Sequence, residues 1–162
     1  MTKEVSLTFS NKSHETKIMA DINDLKGVAD KLNKESDALQ EILKNLNEKL
    51  GALNIGLEVW LYKSTRHYVR WFNTMNADWS LGYTKTNEGW CVAVRLVKVE
   101  EVDEVMFVNS DPDYEPMPLL KASRSVRIEA SKYFEWLIEE IQSKIEESLK
   151  TIDSAKRAVE KL

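Results

Sequence analysis

Apolar residues repeat at helical spacing in two long stretches of this chain, and they alternate with polar residues in a shorter stretch between them. In the first stretch, one series of apolar residues recurs every seven positions, and a second series follows it by four. The two series are Ile18, Leu25, Leu32, Leu39, Leu46 and Leu53, and then Ile22, Ala29, Ser36, Leu43 and Leu50. This pattern predicts a helix over residues 18–54, about 54 Å long, with a single apolar stripe.

The second helical stretch is predicted over residues 118–162. Its early stripe contains Leu119, Val126 and Leu137, and a later 4-3 stripe runs from Phe134 to Leu162. We expect the first part of this helix to pack on the sheet and the second part to lie antiparallel against the first helix, as a coiled-coil hairpin. A core helix in a compact bundle would carry the same stripe, so the length of the pattern is what favours the hairpin.

The central stretch, residues 56–109, predicts an antiparallel sheet. Apolar and polar side chains alternate on either side of a turn signal, Asn87-Glu88-Gly89, which predicts a hairpin. We expect the pair Glu100-Glu101 to end the returning strand and residues 102–108 to form the last one. The fold class predicted is α+β: a β-meander flanked by two long helices that form an antiparallel coiled-coil hairpin, all in one domain of 162 residues.

A short strand is predicted in the amino-terminal arm, residues 1–17. Val5, Leu7 and Phe9 alternate with polar residues there. In the expected hairpin this strand would lie at the far end from its own sheet, unless residues 10–24 fold back. It would then be free to add to the sheet of a second copy, so we expect a homodimer.

Charge and cysteine content narrow the class of protein. The net charge is −4 and the isoelectric point is near 5.4, so the chain as a whole is not attracted to nucleic acid or to anionic lipid. A single cysteine, Cys91, excludes an internal disulfide and fits a reducing compartment. No apolar run is long enough to span a bilayer and no signal peptide is recognisable, so we expect a cytoplasmic protein with no membrane association.

Signatures of catalysis and of metal binding are missing from the sequence. The five glycines have neither P-loop nor dinucleotide-binding spacing, and one cysteine with two distant histidines does not make a zinc site. Seven carboxylates follow one another closely, at Glu100, Glu101, Asp103, Glu104, Asp111, Asp113 and Glu115. They lack the loop pattern of a calcium site, so we interpret them as a solvated acidic edge. We expect neither enzymatic activity nor a cofactor or metal.

The best candidate for function is a basic and aromatic segment, residues 62–72. The partner-binding candidates are Trp60, Tyr62, Lys63, Arg66, His67, Arg70 and Trp71, with Arg124 and Arg127 at the start of the second predicted helix. Cations interleaved with aromatic rings bind phosphates and stack on bases, which makes nucleic-acid binding one interpretation. The simpler interpretation is that the rings are core and the cations pair with the acidic edge.

We therefore expect a non-enzymatic interaction or regulatory protein that presents a sheet surface on a helical scaffold. Its size and composition suit an inhibitor or accessory factor of a bacterial or phage system. Nucleic-acid binding through the basic segment is the first alternative. The second is an enzyme or small-ligand binder with a site near His67, whose imidazole would serve as a general base.

Overall fold

The computed structural model describes residues 8–63, 71–74 and 77–161. They form an α+β fold with one long helix, a curled antiparallel sheet and two further helices. The chain divides into two compact units, one ending at Leu39 and the other beginning at Gln40. The predicted class and the antiparallel sheet are confirmed.

The long helix, α1, runs from Thr8 to Ala52. It starts ten residues earlier than the pattern predicted, so Thr8 and Phe9 of the predicted amino-terminal strand are helical, while residues 5–7 lie outside the described part. The helix ends where Asn54 and Gly56 adopt positive φ angles of 49° and 65°, a left-handed conformation that stops helical hydrogen bonding.

Six strands form the sheet in the part of the chain that the structure describes. They are β1 (Val59–Trp60), β2 (Phe72–Thr74), β3 (Ala77–Thr86), β4 (Gly89–Val102), β5 (Val105–Ser110) and β6 (Met117–Pro118). The backbone order is β1-β3-β4-β5, β2 pairs with the first part of β3, and β6 pairs with β4. Every pairing is antiparallel. Strand β3 already occupies one edge of β4, so β5 and β6 lie along the opposite edge.

Two short turns connect the longest strands. The β3–β4 hairpin turns at Asn87 and Glu88, as predicted, and Gly89 has a φ of 101°. The β4–β5 hairpin turns at Asp103 and Glu104, whose φ values of 51° and 64° are those of a type I′ turn. The prediction that the pair Glu100-Glu101 ends the returning strand is wrong: β4 continues to Val102, because both faces of this part of the hairpin are exposed and accommodate charged side chains.

The sheet carries a core on each face. On one face, buried side chains of β3 and β4, such as Leu81 and Val94, share the interior with the helices. The Tyr83 hydroxyl donates to the carbonyl of Leu50 in α1 at 3.3 Å. On the other face, Trp60 and Tyr62 pack with Ala93 and Val97 of β4, and Trp71, Val99 and Val108 pack against them.

The second predicted long helix is divided into α2 (Arg124–Ser131) and α3 (Phe134–Val159). Ser123 caps α2 by accepting from the backbone N–H of Val126. Pro118, expected in the first helical turn, lies in β6 and is followed by a 3₁₀ turn, Leu119–Lys121. The pairing of two long helices as a hairpin is not shown.

Candidate interaction surfaces

Two of the predicted partner-binding aromatics, Trp60 and Tyr62, are buried, with 3% and 4% of their surface exposed. Trp60 lies over Gly82 of β3, which is its partner in the strand register. A Cβ at Gly82 would overlap the indole ring and would come within 2.6 Å of the carbonyl oxygen of Val59. The absence of a side chain at Gly82 is therefore what allows the ring to pack directly against this strand.

Arg95 of β4 completes this aromatic cluster. Its guanidinium carbon lies 4.8 Å from the centroid of the Trp60 ring, and its Nη1 donates to the Tyr62 hydroxyl at 3.3 Å. A cation over an indole face is stabilised by the quadrupole of the ring. Within the described residues, Trp60 Nε1 and Arg95 Nε are buried without a hydrogen-bond partner. Arg95, the cation that contacts these rings, was not among the residues predicted to bind a partner.

The predicted basic surface is not assembled among the described side chains. Trp71 is half-buried against the aromatic cluster, and Arg66, His67 and Arg70 lie outside the described residues. The backbone of Lys63 closes the 3₁₀ turn Leu61–Lys63.

Arg124 is exposed at the start of α2. Arg127 is half-buried, and its guanidinium donates to the carbonyl of Ala122. Arg127 therefore holds the local backbone, and the nucleic-acid alternative stays a prediction.

A larger exposed surface lies on α1. All residues from 15 to 35 are exposed, including the apolar members of the heptad pattern. These members, which we call the open stripe, are Ile18, Ile22, Leu25, Ala29 and Leu32; Leu25 is 64% exposed. The same stripe is buried further along, at Ser36, Leu43 and Leu50. The heptad pattern is therefore continuous through the helix, but only its carboxy-terminal part is buried by other residues.

The carboxy-terminal half of α3 also exposes apolar side chains. An apolar groove of about 440 Å³ lies between the segment after α1 and α3, lined by Leu53, Ile55, Leu57, Ile145, Ser148, Leu149 and Ile152. A second groove, of about 410 Å³, continues from Ile152 to Val159, which is 68% exposed. This strip belongs to the 4-3 pattern that the sequence assigned to helix pairing.

The far end of the β4–β5 hairpin forms a third exposed surface. Residues 100–107, which we call the hairpin tip, are all exposed. The tip combines four apolar side chains, Val102, Val105, Met106 and Phe107, with four carboxylates, Glu100, Glu101, Asp103 and Glu104. The carboxylates were predicted as a solvated edge, whereas the apolar residues between them were not predicted to form a surface.

Cys91 is buried in β4, at 6% exposure. Burial raises the pKa of its thiol, the hydrogen bond with Thr86 opposes that shift, and the nearby Glu88 carboxylate adds to it. A raised pKa keeps the thiol protonated near neutral pH and therefore unreactive.

Neither a metal-binding cluster nor a membrane-spanning helix occurs in the described ranges. No group of three or more histidine, cysteine or acidic side chains there is arranged to hold a metal ion. None of the helices in the same ranges has the length and apolar character needed to cross a membrane.

Comparison with known proteins identifies no relative. No protein-family model matches the chain, and neither the curated proteins nor the solved structures contain a significant match.

Proposed function

We propose that this chain is a non-enzymatic interaction protein that pairs with a second copy through the open stripe of α1 and presents its sheet to a further partner. The observation that supports this proposal is the run of exposed apolar side chains at 4-3 spacing over residues 15–35. A monomeric soluble protein rarely exposes a contiguous apolar surface of this kind without a binding role. Coiled-coil pairing covers such a stripe completely.

The charges beside the open stripe favour a parallel pair. If Ile22 and Ala29 occupy heptad position a, Asp21 falls at position g and Lys26 at the next position e. In a parallel dimer, each g residue meets the following e residue of the other chain. Asp21 of each copy would then lie beside Lys26 of the other copy, so the ion pair would form twice.

A hairpin within one chain is the second candidate arrangement. The exposed strip of α3, with Leu149, Ile152 and Val159, offers an apolar surface at the same helical spacing. Antiparallel packing of the open stripe on that strip would cover both and would give the helical-hairpin scaffold expected from the sequence. The two arrangements differ in mass, because the hairpin leaves a monomer.

The test is the mass of the protein in solution, measured by analytical ultracentrifugation over micromolar concentrations. We expect the wild-type chain to be dimeric and the double variant Leu25→Glu/Leu32→Glu to be monomeric. Burying each of these side chains contributes about 1–2 kcal/mol, so losing the four side chains of a dimer weakens it by roughly a thousandfold or more. A monomeric wild-type chain would contradict self-association.

A charge-matched control uses the polar side of the same helix segment. Ala20→Glu/Asn23→Glu adds the same charge at exposed positions outside the open stripe, so the dimer should persist. If both double variants dissociate equally, added charge rather than the stripe is the cause. For orientation, Ala29→Cys in a Cys91→Ala background should form a disulfide between copies under mild oxidation, because a parallel in-register pair places the two a positions side by side.

A further inference from the structure

Strand β5 has a free edge within the described part of the chain. It pairs only with β4, and it ends the backbone order of the sheet. The N–H of Asp111 donates to the carbonyl of Leu96 at 3.0 Å, which makes these two residues a hydrogen-bonded pair. Such pairs alternate in an antiparallel ladder, so residues 105, 107 and 109 face β4. The backbone groups of Met106, Val108 and Ser110 therefore point away from the sheet.

The side chains of this edge strand are unusual for an exposed edge. Residues 105–108 are Val-Met-Phe-Val, with no charge and no proline. Val105 is 54% exposed and Phe107 is 48% exposed. Natural proteins protect exposed edges with charged residues, proline or bulges, because an apolar edge readily pairs with another strand. An unprotected apolar edge of this kind is therefore a place where a partner strand adds.

The charges around the edge define the chemistry of that partner. Glu100, Glu101, Asp103 and Glu104 are exposed on β4 and in the turn, and residues 99–108 contain no lysine or arginine. None of these four carboxylates forms an ion pair with another residue of the described ranges. The local potential is negative, and it attracts a cationic segment while repelling an anionic one.

We propose that β5 is a docking strand for a protein partner, which adds an extended segment of alternating apolar and cationic residues as a further strand of the sheet. The outward groups of Met106, Val108 and Ser110 form the new main-chain hydrogen bonds. The apolar side chains of the segment cover Val105 and Phe107, and its cations lie on the opposite face, which carries Glu101, where the negative potential of the hairpin tip attracts them. This inference rests on the part of the proposed function in which the sheet meets a further partner, and it is independent of the pairing through α1.

A second copy of this chain fits the edge less well. Pairing β5 with another β5 covers apolar surface, but it brings two tips with eight carboxylates and no cation into one assembly. Like charges of this number oppose association unless the salt concentration is high. A cationic segment gains from the same carboxylates.

The probe is a fluorescein-labelled nonapeptide in which lysine alternates with valine. Its anisotropy is titrated with the full-length protein at about 50 mM and about 300 mM salt. We expect saturable binding that weakens as salt rises, and no binding of the matched peptide with glutamate in place of lysine. Neutralising the hairpin tip, by Glu100→Gln, Glu101→Gln, Asp103→Asn and Glu104→Gln together, should remove most of the salt dependence.

Main-chain pairing is tested at Met106. Met106→Pro removes one outward N–H and leaves the ladder to β4 intact, so we expect affinity to fall roughly tenfold or more. Met106→Ala shortens the side chain and keeps the N–H, so its affinity should stay within about threefold of the wild type. Tryptophan fluorescence checks that each variant is folded. Should Met106→Pro unfold, a peptide N-methylated at alternate amides replaces it, and that peptide should not bind.

Three results would overturn the docking proposal. One is equal binding of the lysine and glutamate peptides, and another is unchanged affinity in Met106→Pro or for the N-methylated peptide. The third is self-association through the edge, seen as a dimer that survives Leu25→Glu/Leu32→Glu but is lost in Met106→Pro. A monomeric wild-type chain that still binds the lysine peptide would refute only the α1 pairing.

Discussion

Among the five glycines, Gly82 is the one whose added Cβ would meet the closest neighbouring atoms, so adding a methyl group there should damage the fold. The Cβ of Gly82→Ala would lie 2.6 Å from the carbonyl oxygen of Val59 and would overlap the ring of Trp60. Neither neighbour is free to move. The carbonyl belongs to β1, which is paired with β3, and the ring is 97% buried, with the guanidinium of Arg95 on it.

The expected cost of Gly82→Ala follows from two opposing effects. Overpacking a filled core by one methyl group costs about 1–3 kcal/mol, and the upper end applies here because both the backbone and a large ring must shift. Alanine in a strand regains about 0.5–1 kcal/mol relative to glycine. We therefore expect the free energy of unfolding to fall by about 2 kcal/mol.

Urea denaturation followed by tryptophan fluorescence measures this loss. All five tryptophans lie in the unit that begins at Gln40, so the signal reports on that unit. The control is Gly51→Ala in α1, where the new Cβ meets only the carbonyl of Trp90, at 3.9 Å. Alanine should stabilise that helical position by roughly 0.5–1 kcal/mol. If Gly82→Ala is as stable as the wild type, the close packing of Trp60 on this strand is refuted.

Three further outcomes are expected. Asn47→Ala should cost about 1–2 kcal/mol, because Asn47 Oδ1 accepts from the buried N–H of Val92 at 2.7 Å; Asn47→Asp keeps the acceptor, and its urea midpoint should stay near wild type. Cys91 should react with a thiol reagent in the native protein at least tenfold more slowly than in urea, with absorbance at 412 nm as the readout. Burial raises the pKa of both Cys91 and Tyr83, so the unfolded chain loses these protons at a lower pH than the folded chain does. The urea midpoint should therefore fall as pH rises above 9.0. An unchanged midpoint up to pH 10.0 would contradict this.

The parts of the fold that were predicted correctly are those that local chemistry determines. The β3–β4 hairpin follows from an Asn-Glu-Gly turn between two alternating runs. The helical nature of α1 follows from a 4-3 pattern without proline. In both cases the information lies within a few residues of the element that forms.

The parts that were missed depend on contacts between distant residues. Nothing in the local sequence marks a helix break at Tyr133, where neither glycine nor proline occurs. There the ring of Tyr133 stacks on Phe72 of β2 at 5.5 Å and meets Trp136 edge-on at 5.3 Å. These packing contacts accompany the division of the predicted helix into α2 and α3.

The candidate site shows the same limit. Trp60 and Tyr62 were noticed because aromatic residues beside cations often bind ligands, yet the structure buries both rings. Trp60 is buried because it pairs with Gly82, a residue more than twenty positions away. Strand order was not predictable either, since β1 pairs with β3 and not with β2, the next strand in the sequence.

The exposed apolar surfaces consist of aliphatic residues together with Met106 and Phe107, whereas the candidate aromatic residues Trp60 and Tyr62 are buried. The sheet has a core on each face, and strands as short as Val59–Trp60 contribute few side chains to it. Large aromatic side chains are therefore buried to fill these cores. In α1 the apolar period extends beyond the buried part of the helix, and in β5 apolar side chains lie on both faces of a strand with one neighbour. At both places, apolar residues continue the hydrophobic pattern but are not buried by the described part of the chain. Both proposals have one physical basis: the apolar surface that the fold leaves exposed is the surface that a second copy or a partner strand would cover.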